Sequence, residues 1–405
     1  MRILMVNKFL YPNGGAETYF FKVGRYMELA GHQVEYFGMY HEKNIVSNSA
    51  KEYTTEMDFH TSGIERLLYP FRIIYSFEAK RKIRKVIEKF QPDIVHLNNI
   101  NFQLTPSIIE EIHKHKIPIV QTVHDYQMIC PNHLMFDHEK KPCELCLHGS
   151  KWNCSRKNCI GGSKIKSVIG SIEAILYQHR KTYQLVDRFI CPSNFIENKL
   201  AETNLYKGKT LTIRNFVELK DITADDEKED YVLYFGRLSE EKGLAMLLNC
   251  FKRLSHIPFK IAGTGPMAEA CKGISNVEFV GFQTGEALDT LIRRAKFTVY
   301  PSIWYENSPL AVLESKSLGT PIIVSRMGGI PELVEHDETG IIIDDIDEEK
   351  LVHEIQALYL DHEKVKRLSR NCIEKREKMI SLEAYGGKVV EVYHQQINHT
   401  VSETK

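Results

Sequence analysis

Residues 231–254 read YVLYFGRLSEEKGLAMLLNCFKRL. The first five residues are apolar or aromatic, as a strand buried on both faces requires. A charged turn follows, and GLAMLLNCFKRL has helical spacing. Strand, turn and helix in that order form one unit of a parallel sheet. The alternation continues downstream through PFKIAG, VEFVGF, ALDTLIRRA, FTVYPS, PLAVLESKSLG and PIIVS. It also runs upstream, from RILMVN, a Gly-Gly turn and AETYFFKVGRYMELA to DRFICPS and SNFIENKLAE. The acidic stretch ELKDITADDEKEDY at 218–231 separates the two series and reads as a linker or surface loop. The expected fold is therefore α/β with two Rossmann-like, doubly wound domains. The first spans 1–215 with a Cys-rich insertion at about 130–162, and the second spans 216–382. A last helix in 383–405 could pack back against the first domain.

The chain has 405 residues, 43% of them apolar and 26% charged, as in soluble globular proteins. Formal net charge is zero, so no global field points to nucleic acid. The opening MRILMVNKFLYPNGG is interrupted too early for a signal peptide or membrane span, and a cytoplasmic location is the expectation. The nine cysteines are then expected as thiols or metal ligands rather than disulfides.

In a parallel sheet ligands gather where strands end and helices begin. Four turns occupy such places. NGGAE holds Gly14 and Gly15, without the Gly-x-Gly-x-x-Gly spacing of a dinucleotide fold, which disfavours a nicotinamide dehydrogenase. FGRLSEEKG puts Arg237 and Lys242 where a helix already contributes positive potential, so an anion such as a diphosphate is expected. Pairing with Glu240 and Glu241 is the structural alternative. AGTGP is a third glycine-rich turn, containing Gly265. The fourth is PSIWYENSPLAVLES, 301–315. Here Ser308 suits an N-cap, Pro309 the first helical position and Gly319 the stop of a helix of about ten residues. Glu314 shares an apolar stripe with Leu310 and Leu318, so its carboxylate needs donors such as ribose hydroxyls. Glu306, just before the helix, could meet sugar hydroxyls.

Together, GGAE, TVHD (122–125), CPSNF (191–195), FGRLSEEKG, GTGP, the glutamate pair and VSRMGGIPELV resemble the retaining glycosyltransferases of the large family 4 type, which have the two-domain GT-B architecture. The resemblance spans almost the whole chain. It implies a nucleotide-sugar held in a cleft between facing domains. By position, Arg237 and Lys242 would hold the diphosphate, Glu314 the ribose and Glu306 the transferred sugar. Backbone from Asn307 through Ser308 and Pro309 to Leu310 would cradle phosphate and sugar, with Gly14, Gly15, Gly265 and Phe282 also on the donor. His124 would lie near the sugar ring, or be a satisfied strand-end histidine. The implied reaction moves a hexosyl unit, with retention, to a saccharide or lipid-linked acceptor, and requires no cofactor. A nucleotide-sugar epimerase and a non-catalytic binding module are the alternatives.

Two further features stand apart from the donor site. The insertion carries Cys143 and Cys146 as C-x-x-C, followed by Cys154 and Cys159, with Cys130 upstream. A structural zinc site, free thiols or a disulfide, and a redox role are the readings. Residues 63–90 hold eight Lys and Arg against three Glu, and would suit peripheral docking on anionic lipid or simply a solvated helix face.

Overall fold

The computed structural model describes residues 1–56, 72–220 and 227–403. The chain divides into two compact units: Met1–Arg214 with Leu382–Lys405, and Asn215–Ser381. Each is built on one six-stranded sheet, with every strand pairing parallel.

In the first unit, β1 (Arg2–Val6), β2 (Gln33–Phe37), β3 (Ile94–Leu97), β4 (Ile119–Thr122), β5 (Arg188–Cys191) and β6 (Thr210–Thr212) lie in the order β2-β1-β3-β4-β5-β6. In the second, β7 (Val232–Phe235), β8 (Phe259–Ala262), β9 (Val277–Gly281), β10 (Phe297–Tyr300), β11 (Ile322–Ser325) and β12 (Gly340–Ile343) lie in the order β12-β11-β10-β7-β8-β9. Strand order therefore reverses between β1 and β3, and again between β7 and β10. Crossovers leave these two points in opposite directions and open a crevice at the strand ends.

The helix Leu244–Arg253 buries Leu244, Leu247, Leu248 and Phe251 against Val232, Tyr234, Ile261 and Phe297 of the second sheet. The Phe251 and Phe259 rings stack at 3.7 Å. The last helix, Leu382–Glu403, belongs to the first unit. Its Tyr385 hydroxyl meets Tyr19 at 2.6 Å, and its Tyr393 hydroxyl meets His96 Nδ1 at 2.5 Å. Gly386 faces the Tyr26 ring so closely that an added Cβ would lie 2.2 Å from it.

Part of the basic segment, 63–71, lies outside the described residues. The rest contains the helix Phe77–Phe90, capped by Ser76 accepting from the Ala79 N–H. Its cations are largely engaged within the unit. Lys80 and Arg84 meet Glu110 and Glu111, Lys82 meets Glu78, Lys85 meets Glu52, and Lys89 donates to the Ser49 carbonyl. Such pairing leaves little charge for a lipid surface. No helix among the described residues is long and apolar enough to cross a membrane.

Candidate functional site

The switch point of the second unit collects most of the expected donor residues. The β7 end leads into Gly236, Arg237 and a short turn, Glu240–Lys242, before Gly243 opens the next helix. The β10 end leads into 301–309. Ser302 Oγ and the Ile303 N–H both donate to the Glu241 carbonyl, at 3.2 and 3.0 Å, fastening the two turns together. Gly243 is obligatory, because its φ is +73° and a Cβ would lie 1.9 Å from the Pro301 carbonyl oxygen.

Glu306 is buried, and its Oε1 accepts four bonds. They come from Lys242 Nζ at 2.6 Å, Trp304 Nε1 at 2.7 Å, the Tyr300 hydroxyl at 2.9 Å and Ser302 Oγ at 3.0 Å. The Lys242 ammonium also sits 4.9 Å from the Trp304 ring centroid. Lys242 thus pairs with Glu306, and not with the neighbouring Glu240 or Glu241. Burial, together with the Glu306 charge, raises the Tyr300 phenol well above its ordinary pKa and keeps it a donor. Arg237 is exposed, and its guanidinium has no hydrogen bond or ion pair among the described residues. An unpaired guanidinium on the same turn as a carboxylate-bound ammonium makes a candidate anion site.

The helix after Glu306 starts later than its sequence suggests. It is Leu310–Ser317, eight residues, and Pro309 occupies the N-cap in an extended conformation with ψ 124°. Ser308 therefore does not cap it. A residue preceding proline is held away from helical geometry, which moves the boundary forward. The Ser308 Oγ is instead buried without a hydrogen-bond partner, next to a helix start whose first N–H groups have no intrahelical acceptor. Asn215 Nδ2 holds the Ser308 carbonyl at 3.0 Å. Gly319 has φ +72° and ends the helix as expected. Glu314 is half-buried on this helix, between buried Leu313 and Ser315.

Gly265 serves the backbone first, since a Cβ there would lie 2.3 Å from the Leu238 carbonyl oxygen. Phe282 follows β9 as a strongly exposed aromatic. Two glycines of VSRMGGIPELV, quoted for the resemblance but given no role of their own, shape the site directly. Gly328, at φ +61°, packs on Glu306, and the Gly329 N–H donates to the Glu306 carbonyl at 2.7 Å. The chain's Asp-x-Asp, Asp345 to Asp347, is used locally. Asp347 caps the helix Glu348–Leu360, and Lys350 Nζ donates to the Asp344 and Asp345 carbonyls.

The switch point of the first unit is polar. Gly14 is the N-cap of the helix Gly15–Leu29, and buried Glu17 in its first turn accepts from Asn7 Nδ2 at 3.2 Å. Lys8 Nζ donates to Asn101 Oδ1 at 2.5 Å, and Asn101 Nδ2 donates to Asp125 Oδ2 at 2.6 Å. His124 is half-buried, with Nε2 2.9 Å from Asn98 Oδ1 and its ring 4.9 Å from that of Tyr19. Burial lowers its pKa to about 4, so it is neutral near pH 7. Phe102, Thr105, His133 and Met135 all adopt positive φ around this region, a clustering of strain common at binding sites.

All nine cysteines are free thiols. Cys154 and Cys159 are hydrogen-bonded to each other, which depresses the Cys159 thiol, while burial pushes Cys130 up to about 12 and Cys146 up to about 11. Among the described residues, three potential ligand groups lie within 4.8 Å of one another only at Glu144, His148 and Glu202. The expected set of Cys143, Cys146, Cys154 and Cys159 is not drawn together in that way. The acids of the surface trio are already paired with Lys199.

Two parallel six-stranded α/β units of this kind make up the GT-B architecture, and solved structures agree on the fold. Sucrose-phosphate synthase from Thermosynechococcus elongatus superposes with a TM-score of 0.70 at 17% identity, covering 97% of this chain and 98% of that one. Anabaena HepE in complex with UDP gives 0.67 at 16% identity, covering 98% and 100%. The family model for Glycosyltransferase Family 4 matches residues 13–221, and that for Glycosyl transferases group 1 matches 215–375. The chain belongs to this glycosyltransferase family. An uncharacterized 42.6 kDa protein in the cps region of Klebsiella pneumoniae is 25% identical over 355 residues, 82% of this chain and 87% of the relative. The O-antigen biosynthesis glycosyltransferase WbnH of Escherichia coli is 23% identical over 227 residues, 55% of this chain and 61% of WbnH.

Proposed function

We propose that this glycosyltransferase moves a hexosyl unit, with retention, from a nucleotide-diphosphate sugar to a saccharide or lipid-linked saccharide, in surface polysaccharide or glycoconjugate synthesis. The observation that carries the reading is the set at the β7/β10 switch point: unpaired Arg237, Lys242 on Glu306, and the unpartnered Ser308 hydroxyl at a helix start. The place of one relative in a cps region, the O-antigen biosynthesis role of WbnH, and UDP in HepE support the substrate classes.

Arg237 and Lys242 receive the diphosphate, and Lys242 shares its charge between Glu306 and the leaving phosphate. Ser308 and the N–H groups of Leu310 and Ala311 complete the anion cradle. Glu314 takes the ribose and Phe282 offers a face to the base. Glu306 holds sugar hydroxyls, with its Oε1 fixed by four donors and unable to swing toward the anomeric carbon. That argues against a covalent glycosyl-enzyme on Glu306. The C1–O(phosphate) bond breaks as C1–O(acceptor) forms on the same face, and the acceptor proton passes to the departing phosphate oxygen. Charge growing on the diphosphate is met by groups already in place. On the first unit, neutral His124 is the residue assigned to the sugar.

The test is a panel of uridine, guanosine, adenosine and thymidine diphosphate sugars, read by thermal midpoint and by NMR of the products. One donor class should raise the midpoint and give nucleoside diphosphate plus a sugar of unchanged anomeric configuration. An inverted product, or a sugar-nucleotide epimerised without release, would overturn the proposal.

A further inference from the structure

The short helix Trp152–Arg156 ends in a turn that brings two thiols together. Lys157 is its C-cap, and Asn158 follows at φ +51°. The Cys159 N–H donates to the Cys154 carbonyl at 3.1 Å, and the Asn158 N–H donates to the Ser155 carbonyl at 3.5 Å. Nested bonds around a left-handed residue make a Schellman motif, which packs the side chain two places after the cap against the one three places before it. An apolar pair commonly fills that contact. Here it is Cys154 and Cys159, and their thiols share a hydrogen bond.

The motif is anchored on the helix Lys164–His179. Lys164 Nζ donates to the Ser155 carbonyl at 2.8 Å, and the Ile160 N–H donates to Ser167 Oγ at 3.0 Å. Gly170 allows the close approach, since a Cβ would lie 2.5 Å from Ile160 Cδ1. The thiols are thus held in register by bonds that involve neither sulfur. Cys154 is buried and Cys159 half-buried, so a solute from solvent reaches Cys159 first. The spacing is that of a pair and not of a zinc centre. Thiolates on zinc stand roughly 3.8 Å apart, with Zn–S bonds of about 2.3 Å. Among the described residues, no three sulfurs of this insertion lie within 4.8 Å of one another.

We infer that Cys154 and Cys159 are a reversible thiol–disulfide couple, in which a hydroperoxide oxidises Cys159 and Cys154 resolves the product. The Cys159 thiolate attacks one oxygen of hydrogen peroxide and becomes a sulfenic acid. The O–O bond breaks, and the departing hydroxide takes a proton from solvent to give water. Cys154 sulfur then displaces the sulfenic hydroxyl, its own proton leaving with that hydroxyl as a second water. The two sulfurs have lost two electrons and the peroxide has gained them. A dithiol reverses the bond by two exchange steps and is itself oxidised to a disulfide. The inference is independent of which sugar the enzyme transfers.

The test is peptide mapping of the full chain, reduced, freed of reductant, treated with hydrogen peroxide, alkylated and digested with trypsin. Cleavage after Lys151, Arg156, Lys157 and Lys164 puts Cys154 in peptide 152–156 and Cys159 in peptide 158–164. Mass spectrometry should find these two joined, two hydrogens lighter than their sum, at about tenfold or more the yield of any other cysteine pair. Dithiothreitol before alkylation should separate them. Cys154→Ser removes the resolving sulfur, so its Cys159 should persist as a sulfenic acid that dimedone labels. The parent map stands without this variant. Peptides that stay unlinked, Cys159 joined chiefly to Cys130, Cys143 or Cys146, bound zinc that shields both thiols, or no dimedone label on folded Cys154→Ser protein would each overturn the inference.

Discussion

Replacing Gly328 by alanine probes Glu306 without touching any group assigned to substrate. Gly328 sits at φ +61°, and an added Cβ would lie 2.2 Å from the Glu306 carbonyl oxygen and 2.6 Å from its nitrogen. Restoring an ordinary contact of 3.4 Å moves the Glu306 backbone by about 1.2 Å. Left-handed alanine costs about 1 kcal/mol, and the overlap adds roughly 1–3 kcal/mol. A unit of this size should therefore melt several degrees lower. A displacement near 1 Å at a substrate-positioning carboxylate lowers turnover by about 10²-fold. Gly273→Ala is the matched control, with φ +76° and nothing within 4 Å of the new Cβ. It carries the backbone strain alone, about 1 kcal/mol, and should leave kcat unchanged. The assay is nucleoside diphosphate release from the donor the panel identifies. Full turnover by folded Gly328→Ala protein would refute the positioning role given to the Glu306 backbone.

Two pH-dependent predictions rest on buried groups of the first unit. Burial raises Glu173 to about 8, so the folded state holds its proton between pH 4.5 and 8 while the unfolded chain releases it. Stability is then lost by about 1.4 kcal/mol per unit as pH rises through that window. Glu173→Gln should stabilise the protein at pH 7.5 and give no gain at pH 4.5, as read by denaturant midpoints; a gain independent of pH would contradict this. His96, buried between the Tyr393 hydroxyl and Thr122, has its pKa lowered to about 3 by burial. The unfolded chain takes up that proton below pH 6.5 and the folded state does not. Stability should therefore fall with pH from 6.5 toward 3, by up to about 1.4 kcal/mol per unit. His96→Asn should flatten this slope, whatever its offset, and an unchanged slope would count against the assignment.

The strands were legible because a parallel sheet buries both faces, so RILMV, VLYF and FTVY stand out as unbroken apolar runs. The short edge strands β6 and β12 and the helices Glu348–Leu360 and His362–Lys375 were not singled out. The residues proposed for the donor were legible as unusual charges at strand ends. Their mutual arrangement was not, since Lys242 and Glu306 are 64 residues apart and Gly328 reaches Glu306 only through packing. The Lys8–Asn101–Asp125 chain is likewise assembled by topology, with Lys8 and Asn101 separated by 93 positions. Ser308 shows a local rule giving way, because Pro309 shifted the helix boundary and turned an expected cap into an unpartnered hydroxyl.

The central claim is that Arg237 and Lys242 hold a diphosphate at the β7/β10 switch point. Calorimetric titration of the parent, Arg237→Ala and Lys242→Ala with the best nucleoside diphosphate, and with its parent nucleoside, tests it most directly. Each variant should bind the diphosphate about tenfold or more weakly, from the loss of a charge-assisted bond, and bind the nucleoside equally well. Undiminished diphosphate affinity in both folded variants would contradict it.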